Sequence, residues 1–428
     1  MTTIQNFFKL ETKKPKVLVA HLGARKHYQE PIIFHEWGIL DKFYTDLYSG
    51  NSWITQLLRH PKIYSYLPNV LKKGLDRYDP TLDKAKIIHF PWFGYQFFKA
   101  CRKALLGQTS GIFTWAGKEF CQRIIQDGLG QANVVYGFNW ESLELFEYAK
   151  TRGIHCILDQ TIAARSLVHQ LLLAEEQHWS GWSLSSFTVN NADLELLERE
   201  QREQDLADHI ICGSKFVKDS LIARGIKAEK ISVVSLGRLK TGQMSKVNSN
   251  RKTLRKQRDT LRILFAGTVS LRKGIPYLLE ALRQLKGQIP FTCKVAGSIE
   301  IKHERITEYS DVCNFLGRVP RSEMAELYDW ADVFVLPSIC EGSAMVTYEA
   351  LAHGLPIITT YNSGSLVRDG IDGYIVPIRD SEAIANKLFT LFETNCSLNI
   401  NKDIENYFEQ IYHQSLETFF QSLQILAK

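Results

Sequence analysis

What the chain lacks narrows it before anything it contains. None of the eight cysteines, at 101, 121, 156, 212, 293, 313, 340 and 396, stands in a C-x-x-C pair. Neither a zinc site nor a disulfide framework is indicated, and a reducing cytosol suits the chain. No run approaches the ~18 apolar residues of a membrane span. The opening stretch MTTIQNFFKLETKKPKVLVA sets its lysines before a short apolar run and shows no small-residue cleavage site, so no export signal is expected. The one glycosylation sequon, NCS at Asn395, reads as chance.

What is present suits a globular protein of more than one domain. The 428 residues exceed what a single hydrophobic core usually serves. A content of 45% hydrophobic and 23% charged residues is ordinary for that class. The net charge of +6 is uneven: Asn51 to Leu106 holds ten Lys or Arg against three Asp, a net +7. Within it, HFPWFGYQFFKACRKALL places Trp92, Phe93, Tyr95, Phe97 and Phe98 beside Lys99, Arg102 and Lys103. Aromatics beside cations suit an anionic membrane surface. They also suit stacking on RNA, or a core helix whose basic residues lie on its solvated face.

Strands and helices alternate through most of the chain, which predicts parallel sheets covered by helices. The apolar runs of the first half are KVLVA (16–20), ANVVYGF (132–138), HCILD (155–159), HIICGS (209–214) and ISVVSLG (231–237). Helical stretches follow near 29–40, after the second and third runs, and over KFVKDSLIARG. The polar, basic stretch 240–260 breaks the pattern and reads as a linker. Alternation restarts with RILFAGT (262–268), FTCKVAG (291–297), VCNFLGRV (312–319), VFVLPS (333–338), PIITT (356–360) and GYIVP (373–377). Helices are expected at 275–285, 321–329, about 345–353 and 380–393. The fold class is therefore α/β, as two facing doubly wound, Rossmann-like domains, 1–250 and 261–400, with a cleft between them. A helical segment, 402–428, closes the chain; the first domain is a candidate host, but its residues do not say which half it packs on.

Open α/β sheets bind ligands outside the carboxyl ends of their strands. Three loops of the second half stand there. In VSLRKG, Gly267 and Gly274 bracket Arg272 and Lys273 at a helix start, a phosphate-binding combination. In LPSICEGSAMVTYEALAHG, Glu341 precedes a helix and Glu349 lies inside it. A carboxylate at a strand end accepts from vicinal hydroxyls, as for ribose in dinucleotide folds, so two of them point to two polyols. The third loop, TTYNSGSLVRDGIDGYIV, is dense in Gly, Ser and Asn, as where backbone approaches a ligand closely. Taken singly, each Glu or Lys reads equally well as a solvated loop residue. Phosphate beside two polyols describes a nucleotide sugar.

The blocks ILFAGTVSLRKGIPYLLEAL, NFLGRVPRSEMAELYDWADVFVLPSICEGSAMVTYEALAHGLPIITT and VRDGIDGYIVP resemble, in order, those of the retaining family 4 glycosyltransferases, which have the GT-B fold. The match spans about 262 to 380, and Glu341 with Glu349 is the family's E-x7-E motif. The first half matches more loosely, through HLGARKHYQEP and LADHIICGSKFVKDSLIARGIKAEKISVVSLG. The resemblance implies that Glu341 meets the donor hexose hydroxyls and Glu349 the ribose hydroxyls. It implies that the backbone of Gly342, Ser343, Ala344, Met345 and Val346 lines the sugar and diphosphate, and that Lys273 neutralises the diphosphate. It places Arg318 and Val319 at the base, and Gly23 where the first-domain loop approaches the donor phosphate.

The chain departs from that pattern in three places. Many relatives have Gly-Arg where Gly267-Thr268 stands, so Arg272 is the expected substitute for the missing arginine. An aromatic and a glycine often follow the first Glu-Gly; here they are Ser343 and Ala344. Many relatives end a first-domain strand in a His that faces the transferred sugar; here the strand ends in Asp159, either a ligand for a sugar or acceptor hydroxyl or the N-cap of the next helix. The implied reaction transfers a sugar from a nucleotide diphosphate donor to an acceptor hydroxyl with retention, without a protein nucleophile. No D-x-D occurs, so the metal-held diphosphate grip of the other major transferase fold lacks support. Neither a metal nor a cofactor beyond the donor substrate is expected. A sugar or lipid-linked acceptor, a cytoplasmic place on the inner membrane face and no nucleic-acid partner complete the expectation. A nucleotide-sugar epimerase of the same fold, or a non-catalytic binding protein, are the rival readings.

Overall fold

A computed structural model describes residues 15–50, 52–104, 109–235, 259–396 and 398, with 407, 408, 410–412, 414, 415, 418 and 419 of the closing segment. Most of the polar stretch 240–260 lies outside the described residues. The first domain is a seven-stranded sheet built from β1 (Val17–Ala20), β2 (Leu40–Thr45), β3 (Ile87–His89), β4 (Val134–Phe138), β5 (His155–Gln160), β6 (His209–Cys212) and β7 (Ile231–Val233). Its order is β3-β2-β1-β4-β5-β6-β7, and every pairing is parallel. The second is a six-stranded sheet of β8 (Leu261–Ala266), β9 (Phe291–Ala296), β10 (Asn314–Gly317), β11 (Val333–Leu336), β12 (Ile357–Thr360) and β13 (Gly373–Val376), ordered β10-β9-β8-β11-β12-β13 and again all parallel. The central strands β1, β4 and β11 are buried along their whole length, as a parallel sheet covered on both faces requires. In each sheet the order reverses between the first strand and its crossover neighbour, β1/β4 and β8/β11. A crevice opens at such a reversal; the loop of Gly23 after β1 and the loops after β8 and β11 lie at these two places, while the third loop follows β12.

The helix Pro91–Lys103 divides the readings of its sequence. Phe93 is fully buried and stacks on Phe97 and Phe120. Trp92 and Tyr95 are 69% and 53% exposed and stack on each other, and Lys99, Arg102 and Lys103 are exposed with them. One face is core, and the other is both aromatic and basic. Among the described residues no helix is long and apolar enough to cross a membrane.

The cores do not follow the sequence boundary. The helix Arg165–His178 starts in the first domain, where Arg165 pairs with Asp193 at 2.9 Å. It ends against the second, where the buried Glu175 accepts from Tyr277 at 2.8 Å and from Arg379. Trp182 lies in the second domain's core, and Ser183 bridges Ile301 of that domain. In the closing segment Phe408 packs in the second core, while Tyr412 and Phe419 pack in the first.

Candidate active site

The centre of the second-domain site is one carboxylate holding two cations. Glu341 Oε1 accepts from Lys273 Nζ at 2.8 Å and also from Arg272. The cations come from the short turn Leu271–Lys273 after β8, and the glutamate from the loop after β11. The two loops meet through Gly274, whose φ of 69° is left-handed. A Cβ there would stand 1.9 Å from the Pro337 carbonyl oxygen, so only glycine lets the turns touch. The Glu341 N–H donates to the Asn362 carbonyl at 2.9 Å, and the Asn362 amide donates to Ile339 at 2.8 Å. Lys273 is buried, which lowers its pKa; Glu341 opposes that shift and Arg272 adds to it. The two cations share the Glu341 carboxylate, and Arg272 also acts on Glu300; an anion that takes the place of Glu341 would meet both cations at the strand ends.

Glu349 lies one helix further, in Met345–Ala352. Its carboxylate accepts from the Tyr328 hydroxyl at 2.8 Å, and the Tyr328 ring stacks on His353. Gly342, Ser343 and Ala344 form the loop between the glutamates, and Met345 and Val346 open the helix, so this segment is continuous from one carboxylate to the other. Gly267 and Thr268 directly follow β8, half-buried; the Gly267 carbonyl is crowded by Gly297, where a Cβ would come within 1.7 Å. Arg318, exposed, and Val319, half-buried, follow β10, two strands out from β8.

On the first domain, Gly23 turns the loop after β1 with a φ of 76°, and nothing lies within 4 Å of where its Cβ would be. Carboxylates that sequence reasoning did not single out brace that loop. Asp46 accepts from the Gly23 N–H at 2.8 Å and pairs with Arg77 at 2.6 Å. Glu141 accepts from the Leu22 N–H at 3.1 Å and pairs with Arg25 at 3.2 Å. The buried His21 donates from Nδ1 to the Gly23 carbonyl at 3.0 Å, since a carbonyl only accepts. Burial, then Arg25, pushes its pKa down to about 3. No local pattern marks the two carboxylates; Asp46 is brought to the loop by β2 and Glu141 by β4.

Of the two readings of Asp159, the N-cap is the one the structure corrects: the strand runs on to Gln160, and Ala164 holds the cap position of the next helix. Asp159 has no exposed surface; it accepts from the Tyr136 hydroxyl at 2.6 Å and pairs with Lys26. Its place is beneath the loop. Lys26, His27 and Tyr28 have φ of 45°, 53° and 63°, a left-handed run that non-glycine residues hold only when their surroundings dictate it. Lys26, tied to Asp159 and at 3.0 Å to Glu30, anchors that run from below.

Comparison with known proteins places this geometry. The amylovoran biosynthesis glycosyltransferase AmsK of Erwinia amylovora is 30% identical over 192 residues, covering 42% of this chain and 46% of that protein. The putative colanic acid biosynthesis glycosyltransferase WcaL of Escherichia coli is 28% identical over 220 residues, covering 46% and 53%. The matched part thus spans about half the length of these curated relatives. Among solved structures, Anabaena Alr3699/HepE in complex with UDP and glucose aligns over 95% of this chain and 100% of that one, with TM-score 0.54 and 15% identity. Sucrose-phosphate synthase from Thermosynechococcus elongatus aligns over 96% and 99%, with TM-score 0.62 and 15% identity. The chain has the two-domain GT-B type of fold, and its residues 260–394, which carry Glu341, Glu349, Arg272 and Lys273, match the family described as glycosyl transferases group 1.

Proposed function

We propose that the protein is a retaining glycosyltransferase of family 4, moving a sugar from a nucleotide diphosphate sugar to an acceptor hydroxyl in polysaccharide or glycolipid assembly. The observation that carries the reading is the Glu341 carboxylate held by Lys273 and Arg272 at the second domain's strand reversal, with Glu349 in the next helix. The relatives named for amylovoran and colanic acid biosynthesis support the polysaccharide setting. The neighbour solved with UDP and glucose supports a nucleotide-sugar donor. In this reading the departing diphosphate takes the two cations, which stabilise its growing charge, and Glu341 is released to the sugar hydroxyls. Glu349 serves the ribose, and the backbone from Gly342 to Val346 positions the donor. A panel of nucleotide sugars tested by thermal shift, followed by product analysis with acceptor, checks the reading. A transferred sugar is expected; an isomerised sugar would favour an epimerase instead.

The finer parts of the proposal are metal independence and place. The chain has no D-x-D, so turnover is expected to survive EDTA; activity abolished by EDTA and restored by Mg²⁺ or Mn²⁺ would overturn that. Trp53, Ile54, Leu57, Tyr66, Leu71, Trp92 and Tyr95 are all exposed within the basic segment of the first domain. Apolar anchors among cations fit an anionic bilayer, which supports the reading of an enzyme on the inner membrane face with a lipid-linked acceptor.

A further inference from the structure

The loop that carries Glu341 is also gripped from the first domain. Gly342 lies so close to the loop after β5 that a Cβ there would stand 1.7 Å from the Thr161 carbonyl oxygen. Its own carbonyl accepts a 2.5 Å hydrogen bond from the hydroxyl of Ser214, a buried residue just past β6. Gly364 closes a third side: a Cβ there would lie 2.3 Å from the same carbonyl oxygen and 2.7 Å from Ser214 Oγ. Within the second domain the loop is fixed by two backbone bonds, Glu341 N–H to Asn362 at 2.9 Å and Ala344 N–H to Ser363 at 3.1 Å. The Gly342 carbonyl points the other way, and Ser214 reaches it from a residue 128 positions earlier.

Ser214 has a local task as well. It is the N-cap of the helix Lys215–Ala223, where its oxygen accepts from the Val217 N–H at 3.4 Å. A hydroxyl has one proton and two lone pairs. The lone pair serves the helix, so the proton is free for Gly342, and one side chain ties a first-domain helix to the second domain's loop. The same helix carries Phe216, which meets the Tyr361 ring edge-on at 6.1 Å, and Asp219, which accepts from the Tyr361 hydroxyl. The loops 341–344 and 361–364 therefore seat together on its N-terminal end.

We propose that Ser214 is a positioning residue for sugar transfer: it sets the Gly342 carbonyl, and through it the backbone facing the donor sugar, when the two domains close. Gly342 and Gly364 supply the clearance that closure needs. This rests on the glycosyltransferase reading above. Two variants of the full chain test it. Ser214→Gly removes the inter-domain bond but keeps most of the cap, since glycine replaces serine there at little loss. Gly342→Ala keeps Ser214 and puts a methyl where Thr161 stands. Amide hydrogen exchange over 340–345 is read alongside kcat and donor KM. Protection there is expected to fall about tenfold, as for the loss of one buried hydrogen bond. Transfer should drop roughly 100-fold in kcat, the scale of a small misplacement of reacting groups, while donor KM moves little. Unchanged exchange in both variants overturns the proposal, as does an equal loss in KM with kcat preserved. If exchange responds but the native protein transfers no sugar from any nucleotide donor, the seating stands and the glycosyltransferase reading falls, taking Ser214's part in transfer with it.

Discussion

Glu341 holds two cations, Lys273 at 2.8 Å and Arg272. A diphosphate carries more negative charge than one carboxylate and competes for both. Lys273→Met removes the charge and keeps the aliphatic stem, and Glu341 retains Arg272. Turnover should fall by roughly two to three orders of magnitude, as when one transition-state donor is lost, with only a small change in melting temperature. Near-native turnover would show that the lysine does not meet the leaving group. His21 offers a second residue-scale test. Its pKa of about 3 in the fold lies below the ~6.5 of an unfolded chain. As pH falls below ~6.5 the unfolded chain takes up a proton that the native state refuses, so stability falls with pH and continues to fall towards the folded value. The protection is complete above that window. Between pH 7 and 5 the native protein should lose about 2 kcal/mol more than His21→Asn, measured by urea unfolding at each pH; parallel profiles would mean the imidazole is not held neutral.

At the scale of elements, the sequence is legible where burial is uniform and obscure where it is mixed. Val333–Leu336 is wholly apolar and wholly buried, and reads as a strand at once. Leu40–Thr45 does not, because LDKFYT puts Asp41 and Lys42 in a strand; the buried Lys42 is accommodated by bonds to Tyr44 at 2.9 Å and Asp127 at 3.0 Å. Ile87–His89, a three-residue edge strand, is too short to signal itself. The site divides likewise. Glu341, Glu349 and Lys273 stand in blocks that can be read along the chain. The pairings of Asp159 with Lys26 and of Ser214 with Gly342 join residues 133 and 128 positions apart, and no local pattern announces them. The helix Pro91–Lys103 shows why both faces must be weighed. Phe93→Ala should destabilise the fold by about 3–5 kcal/mol, the usual cost of emptying a buried phenylalanine site. Trp92→Ser with Tyr95→Ser should change stability by less than about 1 kcal/mol yet lower flotation with anionic liposomes, and added salt should weaken what remains. Equal flotation of the double variant and the native protein would leave the outer face without a membrane role.

For the whole molecule, the second domain borrows part of its core. The Lys302 N–H donates to the Trp182 carbonyl at 2.8 Å and the Leu184 N–H to Glu300 at 2.9 Å, so the segment after the helix Arg165–His178 is laid against the second sheet. Trp182 itself is 5% exposed within that core, where Arg305 lies over its ring. The buried Glu175 is held by Tyr277 and Arg379, and Arg379 adopts a left-handed φ of 64° beside it. A helix anchored at one end by Arg165 in the first domain and at the other by Glu175 in the second ties the two halves through more than their loops. Stability should then register across the sequence boundary. Trp182→Ala, a change in the first half of the chain, is expected to cost about 3–5 kcal/mol. The loss should appear in the second domain: amide exchange should speed up in β8, β9 and the helix Ile275–Leu285, and change least in β1 and β4. Exchange that quickens in the first sheet while the second keeps its protection would mean that Trp182 belongs energetically to the half in which it is encoded.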